Sequence, residues 1–474
     1  MIQEILSQED VERIHQTSVK VLANVGVEFP SEEALALFKA HSVKTDGSRV
    51  YITEDQLWKA LETAPAQFTL HGRNPDRSVT IGDGEPAFAP GYGAPFLVDV
   101  EGRKRTPTVD DYHTLVKLAD ALPNQDVTGH LLAEPGDVPP ETAPLHMLYA
   151  HMIHSDKPFL GSVDSELGVR HTLEMARILF GEALGDRAVT MGVISSLTPL
   201  GYSREMVGAI LRYAQEGQAL LIANLAMAGS TAPITLAGLL AMQNAEMLAG
   251  IVLTQLVSPG TPVVYGTTST NIDMRTGSLA IGSPEQAQVT AAHVQLVRFY
   301  GLPSRGSGAL TDANYPNAQA GLESMMSMLT AVNSGADFVL HAAGILSSYL
   351  AFSYEKFVLD DEICGRVRRF HRPLVVNADT LAYDVIARVG PGSHFLMEEQ
   401  TLERCRTEFW SPEVSDRRGL DEWVEAGRPD VAVRARERWQ RLVAAHEDPP
   451  LDGITARQLK AFVEEEGGPP FRAN

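Results

Sequence analysis

The stretch from Leu225 to Gly266 constrains the fold more than any other part of the chain. It runs from a strand end through a turn at Gly229-Ser-Thr-Ala-Pro233 into a long segment whose only charge is Glu246. A Ser258-Pro-Gly260 break and a second apolar run at 262–265 follow. This order predicts a strand, a crossover helix and a parallel strand. A helix of that length with one charge needs apolar cover on nearly every side, which it finds between a parallel sheet and neighbouring helices.

The same rhythm of apolar run, polar loop and long helix recurs from about residue 106. It places barrel strands at 127–132, 158–163, 188–194, 219–224, 262–265, 303–306 and 337–341. The eighth strand is less defined, with 393–397 as its candidate. The fold class is α/β, a TIM-type (β/α)8 barrel, regular or distorted. A doubly wound sheet is the alternative, but no Gly-x-Gly-x-x-Gly follows the first strand and no Walker phosphate loop occurs. Ser7-Gln-Glu-Asp and Pro30-Ser-Glu-Glu each open a helix in an N-terminal α+β subdomain, 1–105. The barrel then occupies 106–397. A charged helical extension, 398–474, carries Trp410, Trp423 and Trp439, which pin it to the barrel.

The formal charge of −21 disfavours a nucleic-acid partner, because such binding begins with clustered Lys and Arg. Two cysteines, Cys364 and Cys405, leave little for a disulfide scaffold or a thiolate metal site and fit a reducing cytoplasm. The acidic start lacks the basic, apolar form of a signal peptide, and no apolar run of membrane-spanning length stands free of turn signals. A membrane is therefore not expected.

In a barrel of this kind chemistry sits just past the C-terminal strand ends. His130 and Glu134 follow the first predicted strand, Asp164 the second, Ser195 and Ser196 the third, and Asn224 the fourth. Thr267, Thr268, Ser269 and Asn271 follow the fifth, Ser307 and Asp312 the sixth, and His341 the seventh. Hydroxyls and amides dominate this set, which suits recognition by shape and neutral dipoles better than proton transfer. Such residues also cap helices and close turns in ordinary structural roles. Tyr92 and Phe96 in Gly91-Tyr-Gly-Ala-Pro-Phe96, with Phe352 and Tyr354 in Ala351-Phe-Ser-Tyr-Glu355, are aromatic faces able to meet a cation, or simply packing residues. His151-x-x-His154 shares one helix with His146, but no carboxylate pair or cysteine completes a metal set, and a surface or capping role is expected. The acidic run Asp360-Asp-Glu362 reads as a solvated helix face.

The wording of the central unit, together with Arg103-Lys-Arg-Thr-Pro-Thr108, Asp110-Asp-Tyr112, Leu118-Ala-Asp-Ala-Leu-Pro-Asn124, Gly136-Asp-Val-Pro-Pro140, Thr311-Asp-Ala313, Gln319-Ala-Gly321 and Tyr354-Glu-Lys-Phe-Val-Leu-Asp-Asp-Glu362, closely resembles the trimethylamine methyltransferase family. The likeness spans most of the chain. It implies a TIM barrel that passes a methyl group from an amine to the cobalt of a corrinoid (cobalamin) held by a separate small corrinoid-binding protein, and a homo-oligomer by family habit. The family's archetype carries pyrrolysine, expected near 307–315, where this chain has only Ser-Gly-Ala-Leu-Thr-Asp-Ala-Asn-Tyr. The resemblance is thus to the non-pyrrolysine branch, whose members act on glycine betaine, proline betaine and carnitine. Chemistry agrees: a quaternary ammonium already carries a neutral amine as its leaving group, so no proton must move. Its charge fades as the methyl departs, so a neutral cage favours the transition state over a tightly held ion pair.

The site expected from this reading comprises Tyr92, Phe96, His130, Asn224, Thr268, Ser307, Asp312, His341, Phe352 and Tyr354. Asp312 and His341 are its catalytic candidates, and no metal is bound directly. A betaine carboxylate would need donors such as His341, Arg305 or loop N–H groups. Two other readings stay open: a barrel that binds a betaine without turnover, and a metal-assisted hydrolase or lyase using His130, Glu134 and His341.

Overall fold

The computed structural model describes residues 2–181, 184–185 and 187–467. Seven parallel strands form one curled sheet: β1 (Ala87–Phe88), β2 (Phe159–Gly161), β3 (Thr190–Ser195), β4 (Ala219–Asn224), β5 (Val263–Thr267), β6 (Ser304–Ser307) and β7 (Phe338–Leu340). β1 pairs with β7, and the order then descends through β6, β5, β4 and β3 to β2. The segment 126–130 bridges the two remaining edges. On one side Asp126 and Val127 donate to the Phe88 carbonyl at 2.8 and 3.2 Å; on the other, Thr128 donates to Pro158 at 3.0 Å and Leu160 to Gly129 at 3.3 Å. The result is a distorted TIM-type barrel.

Two expectations need correction. The run 127–132 is no regular strand, because Gly129 at φ 84° takes the backbone out of the extended region. The missing strand is not 393–397, which is exposed and irregular, but β1. It lies upstream of residue 106 and hides in Pro86-Ala-Phe-Ala-Pro90, too short for any alternation to show. The barrel interior is packed by Leu160, Met191, Leu221, Val264, Phe338 and their neighbours. The hairpin Phe68–Leu70/Val79–Ile81 plugs its lower end through Leu70 and Ile81.

The helix Leu236–Val257 is buried at every position from Leu239 to Gln255 except Met242. It lies against β4 and β5 on one side. The N-terminal helices Gln8–Lys20 and Glu54–Leu61 cover the other, which explains its lack of charge. By length and composition it could span a membrane, contrary to the sequence reading, since the turn signals flank it rather than interrupt it. Yet 83% of its apolar window is buried inside the protein.

At the other flank, Val431–Ala444 packs on Tyr354–His371 and Val109–Ala121, while Gly453–Gly467 packs on Ala143–His154 and Glu166–Phe180. Trp439 stacks on Tyr354 at 4.7 Å, and Trp410 lies under the Arg366 and Arg417 guanidinium groups at 4.9 and 5.9 Å. The last part of the expected extension, 468–474, lies outside the described residues.

The histidine pair and the acidic run are also not where surface roles would put them. His151 and His154 are buried. The Tyr112 hydroxyl meets His151 at 2.8 Å, and His154 lies 2.7 Å from His113 and 2.6 Å from Asp448. Asp360, Asp361 and Glu362 are buried as well, each answered by specific donors. Asp360 takes the Gly344 N–H and the Lys356 ammonium, Asp361 takes Asn124 and Gln125, and Glu362 takes the N–H groups of Val414 and Ser415. A buried carboxylate survives when donors replace its water.

Candidate functional site

At the C-terminal mouth, His341 follows β7 in the left-handed region at φ 62°. Its Nδ1 accepts the Tyr92 N–H at 3.1 Å. In the neutral ring the proton therefore sits on Nε2, leaving an N–H donor free to face a ligand. Burial, with the neighbouring Arg305 charge, holds the imidazole well below its ordinary pKa. Tyr349 packs on the His341 ring at 4.9 Å.

The loop that brings Tyr349 there contains three consecutive left-handed residues, Ser347, Ser348 and Tyr349, with φ of 51, 53 and 77°. Each costs about 1–3 kcal/mol, so neighbouring bonds must hold them. Ser347 N–H donates to Ala313 O at 2.9 Å. The Ser348 hydroxyl donates to Asp312 at 2.6 Å, and Asp312 also accepts the Ile281 and Gly282 N–H groups at 2.9 and 3.0 Å. Asp312 thus anchors the loop that presents Tyr349.

Arg305 projects from β6 into the barrel. Gly266, its partner in register on β5, has no side chain, and a Cβ there would collide with the Arg305 stem. The guanidinium is 2% exposed, and Nε and Nη2 make no hydrogen bond. Burial lowers its pKa to about 10, so it stays charged near neutrality. The Tyr92 hydroxyl and both ring nitrogens of His130 are likewise buried without a hydrogen-bond partner, and the Tyr349 hydroxyl has only the Thr268 side chain beside it. Burial raises Tyr92 well above the ordinary phenol range and Tyr349 to about 12, and lowers His130 to about 3. These groups are neutral, so Arg305 supplies the fixed positive charge among them. Buried donors without partners in a native protein call for an explanation, and a bound ligand is one.

Beside this group lies a network built on Glu246, whose helix sequence reasoning treated as plain structure. Glu246, fully buried, accepts from Ser196 Oγ at 2.8 Å, Thr198 Oγ1 at 2.7 Å, Leu200 N at 2.8 Å and Asn224 Nδ2 at 2.5 Å. Burial raises its pKa, and these four donors pull it back. Asn224 in turn accepts from Ser269 at 2.6 Å, and Thr267 donates to that hydroxyl at 2.8 Å. The ends of β3, β4 and β5 are locked together. The signal was available: a lone carboxylate in an otherwise uncharged helix must be answered at its own level of the barrel.

Of the expected site residues, Tyr92, His130, Thr268, Asp312 and His341 come to the mouth, with Asn224 behind them in the Glu246 network. Ser307 turns aside, its Oγ 3.4 Å from both Thr290 Oγ1 and Thr267 O. Phe96 already carries the Lys104 ammonium at 4.2 Å, and Tyr354 donates to Asp111 at 3.0 Å beneath Trp439. Phe352 is fully buried against Phe357. Tyr349 was missed, since nothing in Ser-Ser-Tyr announces a left-handed loop. His130, Glu134 and His341 do not gather: among the described residues no three His, Cys, Asp or Glu are arranged to hold a metal.

Residues 1–467 match the family model described as trimethylamine methyltransferase (MTTB). The chain is 45% identical to the glycine betaine methyltransferase of Desulfitobacterium hafniense (strain Y51), over 98% of this chain and 97% of that one. It is 35% identical to the proline betaine:corrinoid methyltransferase of Eubacterium limosum, covering 97% of each. The crystal structure of the Methanosarcina barkeri monomethylamine methyltransferase aligns with a TM-score of 0.50 at 15% identity, over 91% of this chain and 92% of that one, and shows the shared fold. With the match running from end to end, the chain belongs to the trimethylamine methyltransferase family.

Proposed function

We propose that this protein takes a methyl group from a betaine, with glycine betaine the first candidate, and delivers it to a corrinoid protein that docks over the barrel mouth. The observation that carries the reading is Arg305: a buried, charged guanidinium with no ion-pair partner among the described residues, beside the neutral His341 and Tyr349. Such a guanidinium fits a carboxylate, which it can grip with two parallel N–H bonds. The His341 Nε2–H is the natural second donor. Tyr92, Tyr349 and Thr268 form the neutral side of the pocket, where the trimethylammonium end sits against ring faces, each worth about 0.5–2 kcal/mol.

Bound there, the substrate passes one methyl group from its nitrogen to the nucleophile. The C–N bond breaks, its electron pair remains on nitrogen, and dimethylglycine leaves as a neutral amine with its carboxylate unchanged. The corrinoid supplies the nucleophile when its protein docks. No residue moves a proton, in keeping with a neutral His341 and tyrosines held in their protonated form. The chain contributes positioning and exclusion of water. The two free cysteines fit a cytoplasmic setting.

The test supplies purified protein with reduced cobalamin and, separately, a cognate corrinoid protein, against glycine betaine, proline betaine, carnitine, choline and trimethylamine. The cobalamin spectrum reports methyl transfer. Transfer is expected from a betaine and not from trimethylamine. Arg305→Ala should lower kcat/KM for the betaine about 100-fold, of the order of a lost charged hydrogen-bond pair. Tight betaine binding with no transfer to either acceptor would replace this reading with a binding barrel that does no chemistry.

A further inference from the structure

The walls of the pocket are shut. Arg305 is 2% exposed, Thr268 5% and His341 7%, so no solute meets them until part of the wall has moved. The side chain that lies over them is Tyr349. Its ring packs on the His341 ring after β7 at 4.9 Å, its hydroxyl lies beside Thr268 after β5, and the charge of Arg305 on β6, between the two, reaches it. Tyr349 is thus a bar across three neighbouring strand ends.

The bar is carried on a hairpin whose base and tip differ. At the base, Ile345–Leu346 pairs antiparallel with Ala351–Phe352, and all four residues are buried. Gly344, just before them, gives its N–H to Asp360 at 2.8 Å. The tip rises out of that core: Ser347, Ser348 and Tyr349 are half-buried, and Leu350 is exposed. Its outward hydrogen bonds centre on the turn 311–313. Ser347 N–H donates to Ala313 O at 2.9 Å and Ser348 N–H to Thr311 O at 3.2 Å, while the Ser348 hydroxyl, 3.2 Å from Leu279 O, donates to Asp312 at 2.6 Å. That turn is itself fixed, because Thr311 Oγ1 and the Asp312 N–H both donate to Glu323, at 2.6 and 2.8 Å.

Against these bonds stands the strain of three successive left-handed residues, with φ of 51, 53 and 77°. The closed tip is a shape that the turn imposes, not one that the chain prefers. Opening costs the bonds to the turn and returns the strain, so the two states lie close in energy, whereas a relaxed loop with the same bonds would stay shut. We infer that 347–350 is the gate of this site. With Ser348 on Asp312 it is closed; with that bond broken, Tyr349 swings off His341 and Thr268, and Arg305 meets solvent. Entry of a betaine and release of dimethylglycine through the gate rest on the function proposed above. The gating itself does not, since it belongs to the ligand-free chain.

Phenylglyoxal, which condenses with arginine side chains that solvent can reach, reads the opening without a ligand. In the full-length protein the label on Arg305, measured by mass spectrometry against Arg13, which is 70% exposed, should build up slowly. Ser348→Ala removes the latch and should speed Arg305 labelling about 10-fold, the size of a lost hydrogen bond to a carboxylate. Ser347→Gly keeps the latch and relieves one strained residue, so it should slow the labelling about 3-fold. Alkylation of the buried Cys364 reports general unfolding and should stay blocked in both variants. Arg305 labelling that does not rise in Ser348→Ala, that rises only together with Cys364 alkylation, or that does not fall in Ser347→Gly would each overturn the gate. Glycine betaine should then slow Arg305 labelling in the wild type. If both variants behave as expected and glycine betaine gives no protection, the gate stands and the betaine reading falls.

Discussion

At the scale of single residues, the site turns on a pair that face each other across β5 and β6. Gly266 is a glycine because the Arg305 stem fills the space its side chain would occupy. Gly266→Ala should therefore push Arg305 off its position. Overpacking of this kind costs about 1–3 kcal/mol of stability, while a misplaced guanidinium should lower glycine betaine affinity by about 10-fold or more. Choline has no carboxylate, so its binding should change little, and calorimetry with the two ligands separates a lost anion contact from general damage. An equal loss for both would remove Arg305 from the carboxylate role. The neighbouring ionisations add a pH expectation. His341 and His130 are held neutral, while Arg305 ionises at about 10. Betaine binding should stay flat from about pH 6 to about pH 9 and fall as the pH rises through the Arg305 value, because an unperturbed histidine near 6.5 is absent from the site. A bell centred near 6.5 would contradict this.

At the scale of elements, two carboxylates do structural work at separate places in the barrel wall. Glu246 joins the long central helix to the ends of β3 and β4. Glu246→Gln keeps the shape but turns one acceptor into a donor facing Ser196, Thr198 and Asn224, so a loss of about 1–3 kcal/mol in urea unfolding is expected, with a weaker grip on substrate from the loosened rim. Asp111 caps the helix Val109–Ala121, taking the Thr108 N–H at 2.9 Å and Arg105 in a two-pronged pair. Burial opposes its charge, but Arg105, Thr108 and Tyr354 outweigh that and bring it down to about 2. A carboxyl depressed in the folded state adds stability above its unfolded value near 3.8 and loses it as the pH falls toward 2. Asp111→Asn should thus cost about 2 kcal/mol near neutrality and almost nothing at about pH 2, which parallel urea titrations of variant and parent would reveal.

At the scale of the whole molecule, what the sequence displayed was the part governed by repeating local pattern. The central unit, the strand positions from β2 to β7 and the residues just past them could be read because apolar runs alternate with long helices. β1 could not be read, since a two-residue strand between prolines has no period. Nor could the burial of Asp360 and His154, because that depends on donors such as Gly344 and Asp448, distant in the chain. The mouth showed the same division: His341 announced itself at a strand end, while Tyr349 reaches it through a strained loop. The two flanks complete this picture. The N-terminal helices cover Leu236–Val257, and the C-terminal helix Gly453–Gly467 covers Ala143–His154 and Glu166–Phe180 through the fully buried Leu459 and Val463. Each of those side chains contributes about 1.5–3 kcal/mol by leaving water. Leu459→Ala combined with Val463→Ala should lower stability by roughly 3–6 kcal/mol. If the flanks act as separate covers on one barrel, hydrogen exchange should quicken in 143–154 and 166–180 and stay unchanged in 236–257. Uniform acceleration across all three helices would show instead that the barrel and both covers open as a single unit.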